Sequence, residues 1–349
     1  MQEVRVGIVG MGIGRPNAMA LARNPRGRVV ALCDLVEERM LEFAEELPEP
    51  VIMFSDYEAM CSSPEIDAVF VGTPNQLHVP VALAAIRNGK HVLVTKPLAD
   101  SVPAARTLVE AAEASGLVNM MSLSTRFSED VQHLGALAGR GEFGELYYGR
   151  AQSIRRRGIP AWSMGFIAEG GGAFRDMGVH VLDSAWWLMG MPEPVTVTGV
   201  AGAKFGPRGE GYFGRELMPA RELADHFAAD DYGGGFIRFA NGAGLQVESF
   251  WASHQAPSLQ VDLFGTEAGA TLKPLTIYRT VDGVDHDTDV RLIDPRPGPW
   301  DHIAEHFIAS ILDGVDCTAP LRHGLIVQSM MEALLESAHN GREVVLTQS

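Results

Sequence analysis

Short apolar runs rich in β-branched residues alternate with amphipathic stretches over the first third of the chain. The apolar runs predict strands at residues 4–9, 28–33, 66–71, 91–94 and 118–122. The stretches between them predict helices at residues 15–22, 37–47, 79–88 and 102–115. Strands that alternate with helices are typical of a parallel sheet with right-handed crossovers and helices on both faces. This part of the sequence therefore predicts a doubly wound α/β domain.

The pattern of predicted elements changes after Ser122, where strand-like segments follow one another with little helix between them. These segments lie at residues 144–153, 195–200, 235–239, 244–251 and 259–264. Turn residues such as Asn241-Gly242 separate them, which is typical of antiparallel strands. Helical segments at 300–312 and 324–339 follow a proline-rich break. We therefore predict an α/β domain at residues 1–122 and an α+β domain with a mainly antiparallel sheet at 123–349, whose C-terminal helix is free to pack back on the first domain.

Composition and charge narrow the function classes. The chain has 349 residues, which is enough for about two domains that each bury a core. Its 46% hydrophobic and 21% charged residues are close to the average of globular proteins, so disorder is not its main state. The formal net charge of −16 repels phosphate backbones and anionic lipid heads. We therefore expect neither nucleic acid nor a membrane as a partner.

The cysteines are typical of a reducing compartment. Cys33, Cys61 and Cys317 are far apart and form no metal-binding pattern with histidines, so we predict neither a disulfide framework nor a metal site. The first residues lack the charged and apolar regions of a signal peptide, and the apolar runs are too short to span a bilayer. We expect a soluble protein of the cytoplasm.

A glycine-rich turn follows the first predicted strand and opens the first helix. Glycines here permit a tight turn and let backbone N–H groups and the positive helix end approach a pyrophosphate. The spacing G-x-G-x-G is one residue shorter than the usual dinucleotide-binding pattern, and an ordinary tight turn is the alternative. The residues that we assign to cofactor binding in this turn are Gly10, Gly12, Ile13, Gly14 and Arg15.

Asp34 ends the second predicted strand, 20 residues after Gly14. A carboxylate at this place accepts hydrogen bonds from the adenosine ribose and repels a 2′-phosphate, so NAD is favoured over NADP. Arg15 carries a positive charge that suits a 2′-phosphate, so NADP stays an alternative cofactor. The alternative is that Asp34 only caps a helix, but the complete strand–turn–helix–strand–Asp unit favours nucleotide binding.

Polar residues also follow the next two predicted strands, in the segments Thr73-Pro74-Asn75-Gln76-Leu77-His78 and Thr95-Lys96-Pro97. The carboxyl ends of the strands are where a doubly wound sheet holds its ligand. Lys96 is either a solvated loop lysine or a cation beside the nicotinamide ring. Pro97 stiffens the backbone next to it, with a cis peptide bond as one option.

The most informative segment is residues 170–183, where three glycines precede a helix. Asp176 and His180 are four residues apart and therefore share one helical face. A histidine titrates near neutrality, which suits a base that removes a hydroxyl proton while a hydride leaves the adjacent carbon. The alternative is a salt-bridged pair on a buried helix.

Together these motifs resemble the Gfo/Idh/MocA oxidoreductases, the family of glucose–fructose oxidoreductase and inositol dehydrogenase. The resemblance continues through Gly-Gly-Gly-x-x-x-Asp-x-Gly-x-His to the C-terminal helices and covers nearly the whole chain. It implies a Rossmann domain followed by a domain whose open, mainly antiparallel sheet mediates dimers or tetramers. It also implies that Lys96 is catalytic, that Asp176 binds the substrate and that His180 is the acid/base. The residues that match a family element beside the cofactor are Thr73, Pro74, Asn75 and His78, and Thr95 stands where the family usually has a glutamate near the cofactor ribose.

The predicted function is NAD(P)-dependent hydride transfer between nicotinamide and a secondary hydroxyl or ketone of a sugar, polyol or glycoside. Arg155, Arg157 and Trp162 are further substrate-binding candidates, because strand alternation would send both arginines to one side and an indole can stack on a sugar face. A solvated basic face and a core tryptophan are the alternatives. Two other functions stay open: an NAD-dependent glycosidase that works by transient oxidation and elimination, and a nucleotide-sensing regulator on the same scaffold.

Overall fold

The computed structural model describes residues 2–12, 14–292 and 297–346 and divides the chain into two compact units. Unit 1 comprises Met1–Phe127 and Pro295–Gln328, and unit 2 comprises Ser128–Asp294 and Ser329–Ser349. The first division lies 127 − 122 = 5 residues after the predicted boundary. Unit 1 also includes residues 295–328. The prediction assigned these residues to the second domain and left only the C-terminal helix free to pack on the first domain.

The described residues form helices and strands along the whole chain. The strands are β1 (Val4–Val9), β2 (Gly27–Cys33), β3 (Ile52–Phe54), β4 (Ala68–Val71), β5 (His91–Thr95), β6 (Asn119–Ser122), β7 (Leu146–Ile154), β8 (Ile159–Pro160), β9 (Pro194–Gly202), β10 (Tyr212–Phe213), β11 (Tyr232–Phe239), β12 (Gly244–Phe250), β13 (Ser258–Gly265), β14 (Gly269–Thr271), β15 (Thr276–Val281), β16 (Val284–Asp289) and β17 (Val344–Val345). The helices are α1 (Arg15–Arg23), α2 (Glu37–Ala44), α3 (Tyr57–Ser62), α4 (His78–Arg87), α5 (Val102–Ser115), α6 (Glu129–Gly139), α7 (Met164–Ile167), α8 (Val179–Leu188), α9 (Ala220–Asp225), α10 (Pro299–Leu312) and α11 (Leu321–Asn340).

Unit 1 is built around a six-stranded sheet with the strand order β3-β2-β1-β4-β5-β6. All neighbouring strands in this sheet pair in parallel. Every residue of β4 is buried, as expected for a central strand that is covered on both faces. The order reverses between β1 and β4, so the carboxyl ends of these two strands form the switch point where such sheets bind ligands. The predicted doubly wound parallel sheet is confirmed.

Helix α10 supplies part of the core of unit 1. Its side chains Ile303, Phe307 and Ile308 are fully buried in one cluster with the strands of the sheet. Gly27 lets the helix approach β2, because a Cβ there would lie 2.7 Å from Ile308 Cδ1. Full burial of each such side chain contributes about 1.5–3 kcal/mol. Residues 299–312 are therefore an integral part of the first unit.

A buried arginine fastens the segment before α11 and its first turn to the rest of unit 1. Arg126 is fully buried, donates from Nη1 to Thr318 O at 2.7 Å, and has the same nitrogen 3.0 Å from His323 Nδ1. Burial, helped by the Arg126 charge, lowers the pKa of His323 to about 4. His323 is therefore neutral at pH 7, and its ring nitrogen accepts a hydrogen bond from the guanidinium.

Unit 2 is built around a nine-stranded sheet with the order β16-β15-β14-β13-β7-β12-β11-β9-β17. Neighbouring strands pair antiparallel, except that β7 and β12 pair in parallel. Strands β8 and β10 form a separate two-stranded parallel ladder. Helix α8 packs on β7, β12 and β13, and buried residues such as Ala151 and Val247 face it. The predicted α+β domain with a mainly antiparallel sheet is confirmed.

The face of this sheet opposite α8 carries aromatic and charged side chains. Successive residues of a strand point to opposite faces, so the neighbours of the buried residues lie on this side. Arg150 pairs with Asp262 at 3.6 Å and places its guanidinium 4.9 Å from the centre of the Phe264 ring. Tyr148 packs edge-on against Phe264, and Val200 of β9 is 65% exposed. Within unit 2 this face is therefore largely accessible to solvent.

Candidate active site

The glycine turn after β1 is packed tightly at two positions and open at the third. Gly10 has φ +90°, and a Cβ on it would lie 2.6 Å from Gly72 O, in the loop after β4. A Cβ on Gly14 would lie 2.7 Å from the Phe70 ring. A Cβ on Gly12 would meet no described atom within 4 Å. Gly10 and Gly14 thus let the turn pack on the end of β4, while Gly12 faces open space; Ile13 lies outside the described residues.

Asp34 connects the end of β2 to this turn. Its Oδ2 accepts a hydrogen bond from Met11 N at 2.8 Å, and its Oδ1 accepts one from Val36 N at 2.9 Å. The guanidinium of Arg39 lies 3.9 Å away. An ionised carboxylate has about four acceptor positions, so these two bonds leave capacity for ribose hydroxyls. Asp34 holds the turn in place, and this role is compatible with the predicted one.

Arg15 is engaged with its own unit. Its guanidinium pairs with Glu46 and lies 5.5 Å from the centre of the Phe43 ring. Glu46 follows α2, so the pair joins the first two helices of the sheet. A 2′-phosphate would have to compete with Glu46 for this guanidinium.

His78 joins the two other predicted cofactor loops. The side chain is fully buried, with Nδ1 2.6 Å from Pro97 O and Nε2 2.8 Å from Thr73 O. Burial lowers the pKa of His78. Each ring nitrogen lies against a backbone carbonyl, and the neutral ring donates its one N–H to one of the two. The ring therefore positions the loops after β4 and β5 instead of reaching a ligand. The Lys96–Pro97 peptide bond in the second loop is cis, one of the predicted options.

The residues of unit 1 fit a dinucleotide. Helix α1 follows its N-cap residue Gly14 and has no acidic residue in its first turn and no side-chain cap, so the positive end of the helix is open to an anion. Gly12 leaves space beside them. The hydroxyl of Thr73 is buried without a hydrogen-bond partner among the described residues, as expected for a group that binds a ligand. Of the other candidates, Asn75, Thr95 and Lys96 are half-buried and Pro74 is exposed.

In unit 2, the glycine triplet lets a carboxylate hold the start of a helix. Gly172 has φ +120°, and a Cβ on it would collide with the carboxylate of Asp230. That carboxylate accepts a hydrogen bond from Phe174 N at 3.1 Å, and Asp230 O accepts one from Ala173 N at 2.9 Å. Burial raises the pKa of Asp230. The helix thus begins at a fixed place and runs from Ala173 into α8.

Asp176 lies in a π-helical turn at the start of this helix, over Phe174–Gly178. Such turns break the regular backbone pattern and are frequent at functional sites. Asp176 Oδ2 accepts a hydrogen bond from Trp251 Nε1 at 3.1 Å, and Trp251 is fully buried. His180 lies one turn further along, and both Asp176 and His180 are half-buried. A carboxylate and an imidazole on one turn are suited to binding a hydroxyl and moving its proton.

The condition for strand alternation in the arginine run is not met. Strand β7 ends at Ile154, and residues 155–158 form an irregular bend, so strand alternation does not apply to Arg155 and Arg157. Both side chains are exposed, and the stem of Arg155 folds over Gly158. Trp162 is 42% exposed and is therefore not a core residue. One part of its ring is covered by Gly214, and Phe166 packs edge-on against it.

Two residues near Asp176 escaped prediction as part of the site, namely Trp251 and Asp230. Trp251 is the last residue of the predicted strand 244–251, and nothing in its position indicates a functional role. Asp230 belongs to an Asp-Asp pair directly before β11, and this pair is the only feature of the sequence that could have pointed to Asp230 as part of the site. The neighbouring Asp231 is fully buried, and its carboxylate accepts hydrogen bonds from the amides of residues 204–206 at 2.6–3.0 Å. The pair therefore fixes two separate backbone segments.

A shallow groove of about 310 Å³ lies elsewhere on unit 2. Its walls are formed by Lys204, Phe205, Asp231, Tyr232, Phe250, Ala252, Ser253 and His254. Tyr232 and Phe250 stack at 5.7 Å between ring centres. The groove contains neither Asp176 nor His180, so its volume does not identify the reacting centre.

Neither a membrane span nor a metal cluster occurs in the part of the chain that the structure describes. Its helices are too short or too polar to cross a bilayer, and its His, Cys, Asp and Glu side chains form no group of three that would hold a metal ion. The location in the cytoplasm stays a prediction.

Two family models match consecutive parts of the chain. A model described as oxidoreductase family, NAD-binding Rossmann fold, matches residues 4–123. A model of the GFO/IDH/MocA C-terminal domain matches residues 131–271. Together they span well over half of the chain.

Curated relatives match over most of their length. The D-glucoside 3-dehydrogenase of Escherichia coli (strain K12) is 30% identical over 98% of this chain and 97% of that protein. The scyllo-inositol 2-dehydrogenase (NAD(+)) of Bacillus subtilis (strain 168) is 27% identical over 76% of this chain and 72% of that protein. Among solved structures, a levoglucosan dehydrogenase in complex with NADH and levoglucosan superposes with a TM-score of 0.83 at 22% identity, over 99% of this chain and 100% of that one. A likeness at that identity shows the fold alone.

These findings confirm the predicted family, the enzyme class of NAD-dependent dehydrogenases and NAD as the cofactor. They leave the roles of the single site residues as predictions. The chain belongs to the Gfo/Idh/MocA family of oxidoreductases, whose first domain is an NAD-binding Rossmann fold.

Proposed function

We propose that the protein oxidises a secondary hydroxyl of a sugar, polyol or glycoside with NAD, and reduces the corresponding ketone in reverse. The observation that carries this proposal is the placement of Asp176 and His180 on one helical turn, with Asp176 anchored by Trp251. The dehydrogenases named among the relatives act on a glucoside and an inositol, which supports this class of substrate. The glycine turn and the orphaned Thr73 hydroxyl support the cofactor.

Three side chains perform the proton and charge steps in this proposal. His180 accepts the proton of the reacting hydroxyl, because a neutral imidazole is basic enough for this transfer near neutral pH. Asp176 accepts a hydrogen bond from a substrate hydroxyl and fixes the orientation of the sugar. The ammonium of Lys96 stabilises the negative charge that develops on the oxygen. NAD, when bound, supplies the acceptor for the hydride.

Trp162 is the stronger of the remaining substrate candidates. Its ring is 42% exposed while Gly214 and Phe166 hold it from within unit 2, so it offers a fixed apolar surface for stacking. Arg155 and Arg157 are exposed side chains with donors that suit hydroxyls or a carboxylate. We propose all three as contacts to the part of the substrate that does not react.

The test of the proposed function is a substrate panel. The purified protein is incubated with NAD or NADP and with inositols, sugars, sugar acids and glycosides, while NADH absorbance and sugar products are both followed. We expect NADH formation with at least one of these substrates, and less turnover with NADP because Asp34 repels the 2′-phosphate. Release of an aglycone without net NADH would instead indicate the glycosidase. Tight NAD binding without turnover on any substrate would indicate the regulator.

We further propose that the solvent-accessible face of the nine-stranded sheet joins copies of this chain into dimers or tetramers. Val200 is 65% exposed on this face, so Val200→Glu adds a charge to the interface without disturbing the core. A buried unpaired charge costs several kcal/mol, so we expect the dissociation constant to rise about 10²-fold or more. Light scattering after size exclusion measures the mass. Val281→Glu, at a half-exposed position on β15, is the control, and a monomeric wild-type protein at every concentration contradicts the proposal.

A further inference from the structure

The indole of Trp251 makes an unusual contact for a buried tryptophan. A buried indole N–H needs an acceptor, and a backbone carbonyl is the ordinary one. Trp186, which is also buried, follows this pattern and donates to Pro192 O at 2.9 Å. Trp251 donates instead to the carboxylate of Asp176 at 3.1 Å, across 75 residues of sequence. Hydrogen bonds to ionised groups are roughly twice as strong as neutral ones.

Trp251 is itself held at its backbone. The backbone N–H of Trp251 donates to Asp231 O at 2.9 Å. The preceding residue, Asp230, fixes the start of the helix. Neighbouring residues therefore hold Trp251 and the helix start. Two residues before Trp251, in β12, Ser249 Oγ donates to Ala173 O at 2.9 Å. The end of β12 and the first turn of the helix are thus joined by two side-chain hydrogen bonds. This joint fixes the position of the indole relative to the π-helical turn.

We propose that Trp251 is a positioning residue for the reaction. Its N–H holds Oδ2 of Asp176, so that the carboxylate is presented to the substrate hydroxyl in one orientation. This inference rests on the proposed function, in which Asp176 binds the substrate. The indole touches neither substrate nor cofactor in this role and acts only through Asp176.

The expected effect is on turnover more than on binding. Without the indole N–H, the carboxylate of Asp176 loses one charge-assisted hydrogen bond and is held less firmly in the orientation that aligns the hydroxyl with His180. A loss of alignment by about 1 Å costs up to about 10²-fold in rate. Because the carboxylate keeps its charge and most of its contacts, we expect a fall in kcat of about 10-fold with little change in KM.

The test replaces the indole of Trp251 with its benzothiophene isostere, which keeps the shape and has no N–H. The same replacement at Trp186 is the matched control, because it removes an equally buried N–H bond from the helix that carries His180. We expect kcat to fall about 10-fold at position 251 and to stay unchanged at 186, with equal melting temperatures and NAD affinities. In an Asp176→Asn background, the replacement at 251 should cause no further loss, since coupled residues are not additive.

Each other outcome overturns the proposal. Unchanged kcat after replacement at 251 removes the positioning role, and so does an equal fall in the wild-type and Asp176→Asn backgrounds. Full turnover in Asp176→Asn alone contradicts the proposed function together with this inference. Loss of turnover in Asp176→Asn with full turnover in the position-251 isostere leaves the proposed function intact and rejects the inference alone.

Discussion

His180→Ala is expected to lower turnover on the sugar substrate by at least about 10²-fold while NAD binds as before. The variant removes the proposed base for the hydroxyl proton, and a positioned base typically contributes about 10²–10⁴-fold to the rate. NAD affinity is expected to stay the same because the residues that we propose to bind the dinucleotide, the glycine turn and Asp34, belong to unit 1. Lys96→Ala should cause a fall of the same order, because it removes the cation that stabilises charge on the substrate oxygen.

Steady-state kinetics and NAD titration by fluorescence measure these effects separately. His286→Ala and Lys273→Ala are the controls, since both side chains are exposed on unit 2, and Lys273 also precedes a proline. Added imidazole should restore part of the turnover of His180→Ala, because it replaces the missing base. Full turnover in both the His180 and the Lys96 variants would reject the assignment of the reacting centre.

Gly12→Ala is expected to weaken NAD binding by about 10- to 100-fold and to leave the stability of the ligand-free protein unchanged. A Cβ at this position meets no described atom, so the fold tolerates it. The same methyl group occupies the space beside the helix start where the pyrophosphate is expected, and overfilling a tight site costs about 1–3 kcal/mol. Calorimetric titration gives the affinity, and thermal unfolding without cofactor gives the stability.

Substitutions at two other glycines serve as comparisons for Gly12→Ala. Gly10→Ala should lower both NAD affinity and melting temperature, because φ is +90° and the Cβ would lie 2.6 Å from Gly72 O. Gly116→Ala, at the left-handed end of α5, should lower only the stability, by about 1 kcal/mol. If Gly12→Ala binds NAD as tightly as the wild-type protein, the pyrophosphate does not lie at this turn.

The sequence predicted the buried strands best, for a physical reason. Strands such as β4 and β5 are covered on both faces and therefore appear as continuous apolar runs. Strand β3 escaped prediction because it is a three-residue edge strand with partly exposed side chains. Strand β16 escaped because all of its residues are exposed, so no alternation of apolar and polar side chains marks it.

The candidate site was predictable where it is local in sequence. The glycine turn and the pair Asp176 and His180 are short motifs with fixed spacing, and the resemblance to a family gave each a role. The bond between Trp251 and Asp176 spans 75 residues and depends on how β12 ends beside the helix. The π-helical turn was also not predictable, since no spacing in residues 174–178 indicates it. The side to which Arg155 and Arg157 point was not predictable by strand alternation, because β7 ends at Ile154.

The split of unit 1 into two stretches has a consequence for protein synthesis. The ribosome makes all of the nine-stranded sheet except β17 before it makes α10, whose Phe307 and Ile308 belong to the core of the first unit. The nascent Rossmann domain therefore exposes the apolar surface of β1 and α1 during translation of more than 150 residues, from 128 to 294. Such exposed surface is what chaperones bind. A premature stop codon before Pro299 leaves both the nucleotide-binding domain and the second sheet without their last elements.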